Sequence, residues 1–244
     1  MWTGLLVTLF ITANAAPSAL MEQAHAAYGA ASYERAAQLY QRAAKQVAQP
    51  SGQLLYNLGT ARLANGELGA AIAAFRRARA LRPRDARIGA NLAMARRRIQ
   101  DELAPPEPTT VSQVLAFWHH ALSASELMLL VLASHAGLWT ALALRRVWPR
   151  TRGTTGTALL CAGLMAIFGV SWTFKTLWNK QVAVVTTDEA KARATTTATG
   201  VVRFTVHEGA ELTLLELEAD WARVALPERA QGWLPRTAVA VVPF

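Results

Sequence analysis

Leu127 to Leu144 is a run of 18 residues without Asp, Glu, Lys or Arg, and Thr157 to Phe174 is a second run of the same length. No other feature limits the fold so strongly. A helical membrane span takes about 20 mostly apolar residues, with a lower limit near 17, so each run reaches spanning length. A helix buried in a soluble protein would carry a polar stripe with the helical period, and neither run has one. The pattern predicts two transmembrane helices, 127–144 and 157–174, joined by a loop over 145–156. His135 is the ionisable group of the first run. A neutral imidazole hydrogen-bonded to a neighbouring helix, or near water, accounts for it better than a proton relay does.

Arg145, Arg146, Arg150 and Arg152 fall between the two runs. Basic residues flanking spans stay on the cytoplasmic side, which puts both flanking segments, 17–126 and 175–244, across the membrane. The N-terminus points the same way. Leu5 to Ile11 is a short apolar core, and Ala13-Asn14-Ala15 followed by Ala16-Pro17 has the small-x-small form of a signal-peptidase site. Residues 1–16 are therefore expected to be a signal peptide. No Lys or Arg precedes the core, so an uncleaved anchor is the alternative, and either outcome exports residue 17 onward.

The net charge of +9, from 25 Lys and Arg against 16 Asp and Glu, is scattered along the chain rather than gathered in one patch. Most of the basic residues outside the Arg cluster lie on an exported segment, which argues against a nucleic-acid partner. A lone Cys forms no internal disulfide, and a zinc site would need His or carboxylate ligands in place of thiols. His25, His119, His120, His135 and His207 show no metal-ligand spacing, and neither a nucleophile-base motif nor a glycine-rich phosphate loop occurs. No catalytic residue, metal or cofactor is expected.

Within the hairpin, Ala133, Gly137 and Ala141 share one helical face, as do Ala158, Ala162 and Ala166. Antiparallel pairing would set 141 against 158, 137 against 162 and 133 against 166, and small residues at this spacing let helices approach closely in lipid. Trp118, Trp139, Trp148, Trp172 and Trp178 mostly fall near span ends, as interfacial anchors do. Ser123 with Glu126 forms a capping box ahead of the first span. Residues 105–126 are expected to be a linker and interfacial segment.

Residues 17–104 carry an internal repeat. Asn57-Leu58 recurs as Asn91-Leu92, and Ala61-Arg62 as Ala95-Arg96, each 34 residues on. That is the tetratricopeptide period. Leu55, Leu58, Gly59, Gly66, Leu68, Ala71, Phe75, Ala78, Leu81 and Pro83 fall where that repeat places its large, small and helix-ending residues. Gly59 and Ala71 would let two helices close on each other, with Phe75 filling the gap. Ala24, Tyr33, Ala36, Tyr40 and Ala43 repeat the pattern one register earlier, and Asp85 would cap a third helix reaching to about Leu103. Two repeats and a closing helix are fewer than the three usually needed, so the array should lean on a neighbour. Resemblance to repeats of this type puts Met21, His25, Tyr28, Tyr56, Asn57, Thr60, Leu63, Asn91 and Met94 on a concave, partner-binding groove. There Asn57 and Asn91 would pair with an extended peptide backbone or with their own helix neighbours.

Residues 175–244 read as a small β domain. Val182 to Thr186, Val201 to Val206, Glu211 to Glu218, Trp221 to Leu226 and Gly232 to Leu234 are short runs separated by turn residues, as in a small barrel. His207-Glu208-Gly209-Ala210-Glu211, Trp221-Ala222-Arg223-Val224 and Gly232-Trp233-Leu234-Pro235 resemble the bacterial SH3-like domain in order and spacing. Arg193-Ala194-Thr195-Thr196 replaces that family's usual turn after the early strand. Trp221 and Trp233 would either face a peptide groove or supply the barrel core.

The expected fold class is thus multidomain α + β, with tetratricopeptide hairpins, two transmembrane helices and a small SH3-like β-barrel. Signal sequence, repeats, membrane hairpin and SH3-like domain in this order resemble the BatE family of the bacterial aerotolerance operon, over nearly the whole chain. The resemblance implies a bacterial inner-membrane protein with both soluble domains periplasmic. It further implies work beside von Willebrand factor A membrane proteins, a BatD-type protein and a MoxR-type ATPase in envelope integrity or stress tolerance. On that basis the chain is a non-enzymatic scaffold; the alternative is a cell-wall sensor or enzyme accessory whose β domain recognises peptidoglycan.

Overall fold

A computed structural model describes residues 17–101, 117–148, 153–177, 181–226 and 230–243. The signal segment 1–16, Leu103, residues 105–116 of the expected linker 105–126, Arg150, Arg152 and Trp178 lie outside the described residues, as does the side chain of His120. The chain is mixed α and β and divides into two compact units. One is built from both ends of the chain, up to Glu107 and from Lys180 onward; the other is Pro108–Asn179.

The first unit begins with five helices: α1 over 17–29, α2 Tyr33–Gln46, α3 Gly52–Ala64, α4 Leu68–Leu81 and α5 Ala86–Arg96. Their starts follow local chemistry. The Ser51 hydroxyl accepts from Leu54 N–H at 3.1 Å, and the Asp85 carboxylate from Arg87 N–H at 3.1 Å, each satisfying an amide that the first turn leaves free. The turn from α3 into α4 uses Gly66 at φ +87°, a conformation open to glycine. The two helices then close tightly: a Cβ on Gly59 would stand 2.7 Å from the Phe75 ring, and Phe75 and Ala71 are fully buried. The closing helix, expected to run to about Leu103, ends at Arg96. Beyond it the chain turns so that Ile99 packs on the core and Asp101 meets the β segment.

The β segment forms one seven-stranded antiparallel sheet from β1 Gln181–Val185, β2 Glu189–Arg193, β3 Val202–His207, β4 Glu211–Leu217, β5 Trp221–Ala225, β6 Gln231–Pro235 and β7 Val239–Pro243. Its order is β3-β2-β6-β5-β4-β1-β7. The expectation of a barrel is corrected here, because the sheet is not closed and β3 and β7 are its edges. A carbonyl of β7, that of Val241, accepts from the Arg77 guanidinium of α4 at 3.0 Å, so a helix side chain takes a group that a further strand would use. Strands β2 and β7 were not among the expected runs. In β2 the buried residues are Ala190 and Ala192, too small to give a hydrophobic alternation.

The helices and the sheet share a core. Val182, Val184 and Val242 pack with Ile72, Phe75, Ile88 and Leu92, whereas Ala183, Val185 and Val239 pack into the sheet's own cluster with Leu212, Val224 and Leu234. Strand β1 is therefore covered on both faces, which explains its unbroken apolar text. Helix α4 lies against β1 so closely that a Cβ on Gly69 would fall 2.0 Å from the Val185 carbonyl oxygen. The neighbour on which the short helical array leans is thus the C-terminal segment of the same chain.

Polar groups fix this docking. Arg76 of α4 and Arg96 of α5 both bind the Glu211 carboxylate, Arg96 with Nε 2.7 Å from Oε1 and Nη2 3.2 Å from Oε2. Asp101 accepts from the His207 backbone N–H at 2.7 Å and sits 2.8 Å from its Nδ1. Glu208 accepts from Gly69 N–H at 2.8 Å, at the start of α4. Burial pushes the Arg76 guanidinium below its ordinary value, with Glu211 opposing the shift; burial likewise pushes the Glu208 carboxyl up.

The second unit holds α6 Phe117–Ala121, α7 Ala124–Val147 and α8 Thr154–Leu177. The last two have 24 residues each and mean hydropathy of 1.9 and 1.8 over their most apolar windows, long and apolar enough to cross a membrane. Only 11% of each window is buried within the chain, with Leu129, Trp139, Leu159 and Val170 all exposed, unlike the core helix of a soluble protein. The Ser123–Glu126 capping box is formed in full at the start of α7.

Candidate functional site

Two surfaces of the first unit gather the residues singled out in the sequence. On the helical side, positions 34 residues apart on α3 and α5 come side by side. Gln53 and Arg87 are 34 residues apart, and Arg87 Nη2 reaches Gln53 Oε1 at 3.4 Å. Arg82 Nη1 donates to the same oxygen at 2.9 Å. The Arg87 guanidinium stands 5.4 Å over the Tyr56 ring, a cation–π distance, and the Tyr56 hydroxyl accepts from Asn91 Nδ2 at 3.2 Å. Asn57 accepts from Gln53 Nε2 at 2.8 Å, and Thr60 Oγ1 donates to the Tyr56 carbonyl at 2.9 Å.

Both Asn side chains are thus engaged within the helical array, Asn57 inside its own helix and Asn91 across to Tyr56 of α3. Tyr56, Asn57, Thr60, Asn91 and Met94 are half-buried on this side. Leu63, expected beside them, is instead 7% exposed and belongs to the core shared with the sheet, so it offers nothing to a partner. Gln53, Arg82 and Arg87 join the face without having been anticipated. The 34-residue spacing is the signal that identifies Gln53 and Arg87; Arg82, 29 residues from Gln53, has none. Asp85 lies 2.9 Å from Arg87 and 3.3 Å from Arg82, and the Arg87 hydrogen bond holds its carboxyl below the ordinary range.

Met21, His25 and Tyr28 form a separate group on α1. The Tyr40 hydroxyl is 3.0 Å from His25 Nδ1, Tyr28 packs 5.2 Å from Tyr33, and Met21 rests on the α1–α2 core. Burial and then the neighbouring Tyr28 raise the Tyr40 phenol above its usual value.

On the sheet, strand alternation separates two faces. Ala222 and Val224 of β5 and Leu234 of β6 point into the core, while Trp221, Arg223, Gln231 and Trp233 take the opposite face and are half-buried. Neither Trp packs the core. Register places Arg223 directly opposite Trp233, and its guanidinium lies 5.9 Å from the indole. Arg223 Nη2 also donates to Gln231 Oε1 at 3.0 Å, and Arg193 of β2 pairs with Trp233 from the other side. The Arg193 guanidinium itself donates from Nη1 to the Gly200 carbonyl at 2.8 Å, so the cation over the indole is that of Arg223.

In the second unit, Ala141 and Ala158 are buried between the spans, and a Cβ on Gly137 would meet Cys161 Sγ at 3.0 Å. The small-residue seam is therefore closed toward the Arg end, one residue out of the expected 137-to-162 register. Ala162 is half-buried, and Ala133 and Ala166 are exposed. His135 accepts from Trp139 Nε1 at 3.0 Å, one helical turn away. Among the described residues, no three His, Cys, Asp or Glu side chains converge as a metal site. The chain matches no protein-family model and no curated protein at a significant level.

Proposed function

We propose that the chain is a membrane-anchored, non-enzymatic scaffold of the BatE type, in which tetratricopeptide-like hairpins and an SH3-like sheet present binding faces for protein partners at the outer side of a bacterial inner membrane. The observation that carries this reading is that the segments before and after the apolar hairpin fold into one unit. Chain parts that share a core must emerge on one side of a bilayer, which agrees with two spans and a loop between them. With Arg145 and Arg146 beside that loop, the basic-residue rule favours a cytoplasmic loop and an exported unit.

The helical face of Gln53, Tyr56, Asn57, Arg87 and Asn91 combines an aromatic anchor, amides and guanidinium, a composition suited to a protein segment. By resemblance, the partners are von Willebrand factor A membrane proteins and a BatD-type protein. Alkaline phosphatase fused after Phe244 should be active, and fused at Pro149 inactive; the reverse would remove the exported reading. The full chain extracted in mild detergent should co-purify a protein partner, and Asn57→Ala with Asn91→Ala should weaken that recovery while helix content by circular dichroism is unchanged. Intact recovery with intact fold would discard the helical face.

A second reading is favoured by Trp221 and Trp233 lying on the sheet's outer face: a cell-wall sensor or enzyme accessory whose indole and guanidinium groups take peptidoglycan peptide. Sedimentation of the full chain with purified cell wall, lost on Trp233→Ala, would support it.

A further inference from the structure

The open end of the hairpin carries a polar clasp. Lys175, half a turn from the end of α8, donates from Nζ to the carbonyls of His119 at 2.7 Å and Leu122 at 2.5 Å, and His119 Nδ1 lies 2.7 Å from the Ser171 hydroxyl. These contacts fasten the short helix α6 to the span. A helix C-terminus leaves carbonyls without intrahelical donors, and in bulk water the solvent takes them. Here an ammonium with three donors takes them instead, the arrangement needed where water is scarce. Ser171 and Ser123, at the same level, are each 7% exposed.

Beside the clasp the surface is apolar. Phe117 is 65% exposed, with its ring 5.4 Å from that of Trp118 in an edge-to-face pair. Met128, Leu129 and Leu132 on the first turns of α7 are also exposed and continue into the uncharged run of the span. Trp and its amphipathic relatives concentrate where hydrocarbon gives way to headgroups.

We infer that α6 is a membrane-surface element, clasped by Lys175 so that the Phe117–Trp118 pair rests in the lipid headgroup layer at the exported end of the hairpin. The inference rests on α7 and α8 being spans. Lipid is the occupant because the exposed Phe117 ring, paired with the half-buried Trp118, lies at the end of the chain's exposed apolar helices, and because the carbonyls next to it are satisfied from within the protein.

The test uses the full chain with Cys161→Ala, reconstituted in nanodiscs of phosphatidylethanolamine and phosphatidylglycerol. Single nitroxide labels are placed through Phe117→Cys, Leu132→Cys and Thr205→Cys, and collision with oxygen is compared with collision with a water-soluble nickel chelate. Position 132 should favour oxygen, position 205 nickel, and position 117 should favour oxygen several-fold over 205. Lys175→Met should return position 117 toward the value of 205 and leave 132 unchanged. An aqueous signal at 117 with 132 in lipid would overturn the inference alone, and an aqueous signal at 132 would overturn the membrane reading beneath it. A label at 117 shielded from both reagents would mean a protein cover and defeat the lipid assignment. No response to Lys175→Met would defeat the clasp.

Discussion

The guanidinium of Arg76, in the middle of α4, binds the carboxylate of Glu211, the first residue of β4, and each side chain is 2% exposed. The two are 135 residues apart, and in the sequence the two long apolar helices lie between them. Arg96 completes the carboxylate's partners, so a single acid on the sheet is shared by two helices. Removing two charges from water is costly, and such a group is stabilising only while its partners remain.

Glu211→Leu should accordingly cost about 3–5 kcal/mol, since it leaves the Arg76 charge buried without its counterion. Arg76→Met should cost less, because Arg96 still serves the carboxylate. The double substitution should recover much of the loss through apolar packing. Urea unfolding of the full chain in detergent, followed by near-ultraviolet circular dichroism, measures all three.

Gly69 is the point where α4 touches β1. Any side chain there meets the Val185 carbonyl, so Gly69→Ala should lower stability by about 1–3 kcal/mol, the range for overpacking. Gly89 is the control. It lies within α5 with open space around it, and Gly89→Ala should gain up to about 1 kcal/mol from helix propensity. Equal effects at the two sites would contradict the close approach.

Acid and base should act on the docking loop in a defined sense. Burial raises the Glu208 carboxyl above its unfolded value, so its stabilising contribution is present below the unfolded pKa and is lost as pH rises through the folded one. Glu208→Gln keeps an acceptor for Gly69 and removes the ionisation. Its unfolding midpoint should match the parent in acid and exceed it as pH climbs from the glutamate range toward neutrality. Asp85 has the opposite sign: its carboxyl is depressed by the Arg87 hydrogen bond, so Asp85→Asn should be less stable at neutral pH, with the gap closing as pH falls.

The two faces of β6 should respond differently to truncation. Leu234 is fully buried among the sheet's core residues, and Leu234→Ala should cost about 2–5 kcal/mol. Trp233, next to it in sequence but on the outer face, should cost less on Trp233→Ala and should mainly alter ligand capture. A larger loss at 233 than at 234 would place the indole in the core.

Local pattern made much of the chain legible. An uncharged run of 18 residues has few fates, and α7 and α8 each enclose one with three further residues at either end. The Ser123–Glu126 cap, the fit of Gly59 against Phe75 and the five apolar strand runs likewise depend on neighbours a few residues away or on a fixed 34-residue period. Strands β2 and β7 escaped that reading, one because alanine gives little alternation, the other because its run adjoins the 3₁₀ turn Arg236–Ala238. What only the tertiary structure decided is how distant pieces meet. Nothing in the text around Glu211 distinguishes a buried carboxylate shared by Arg76 and Arg96 from a solvated acid at a strand start. Nor does Leu63 differ in sequence from an exposed groove residue until the helices close into the shared core. The two Trp side chains were equally ambiguous, because a strand's period separates its faces but the choice of buried face waits for what packs against it. The ion pairs of Glu211 join residues more than 100 positions apart, and the face of β5 and β6 is settled by strands from across the whole sheet, neither of which a local periodicity encodes.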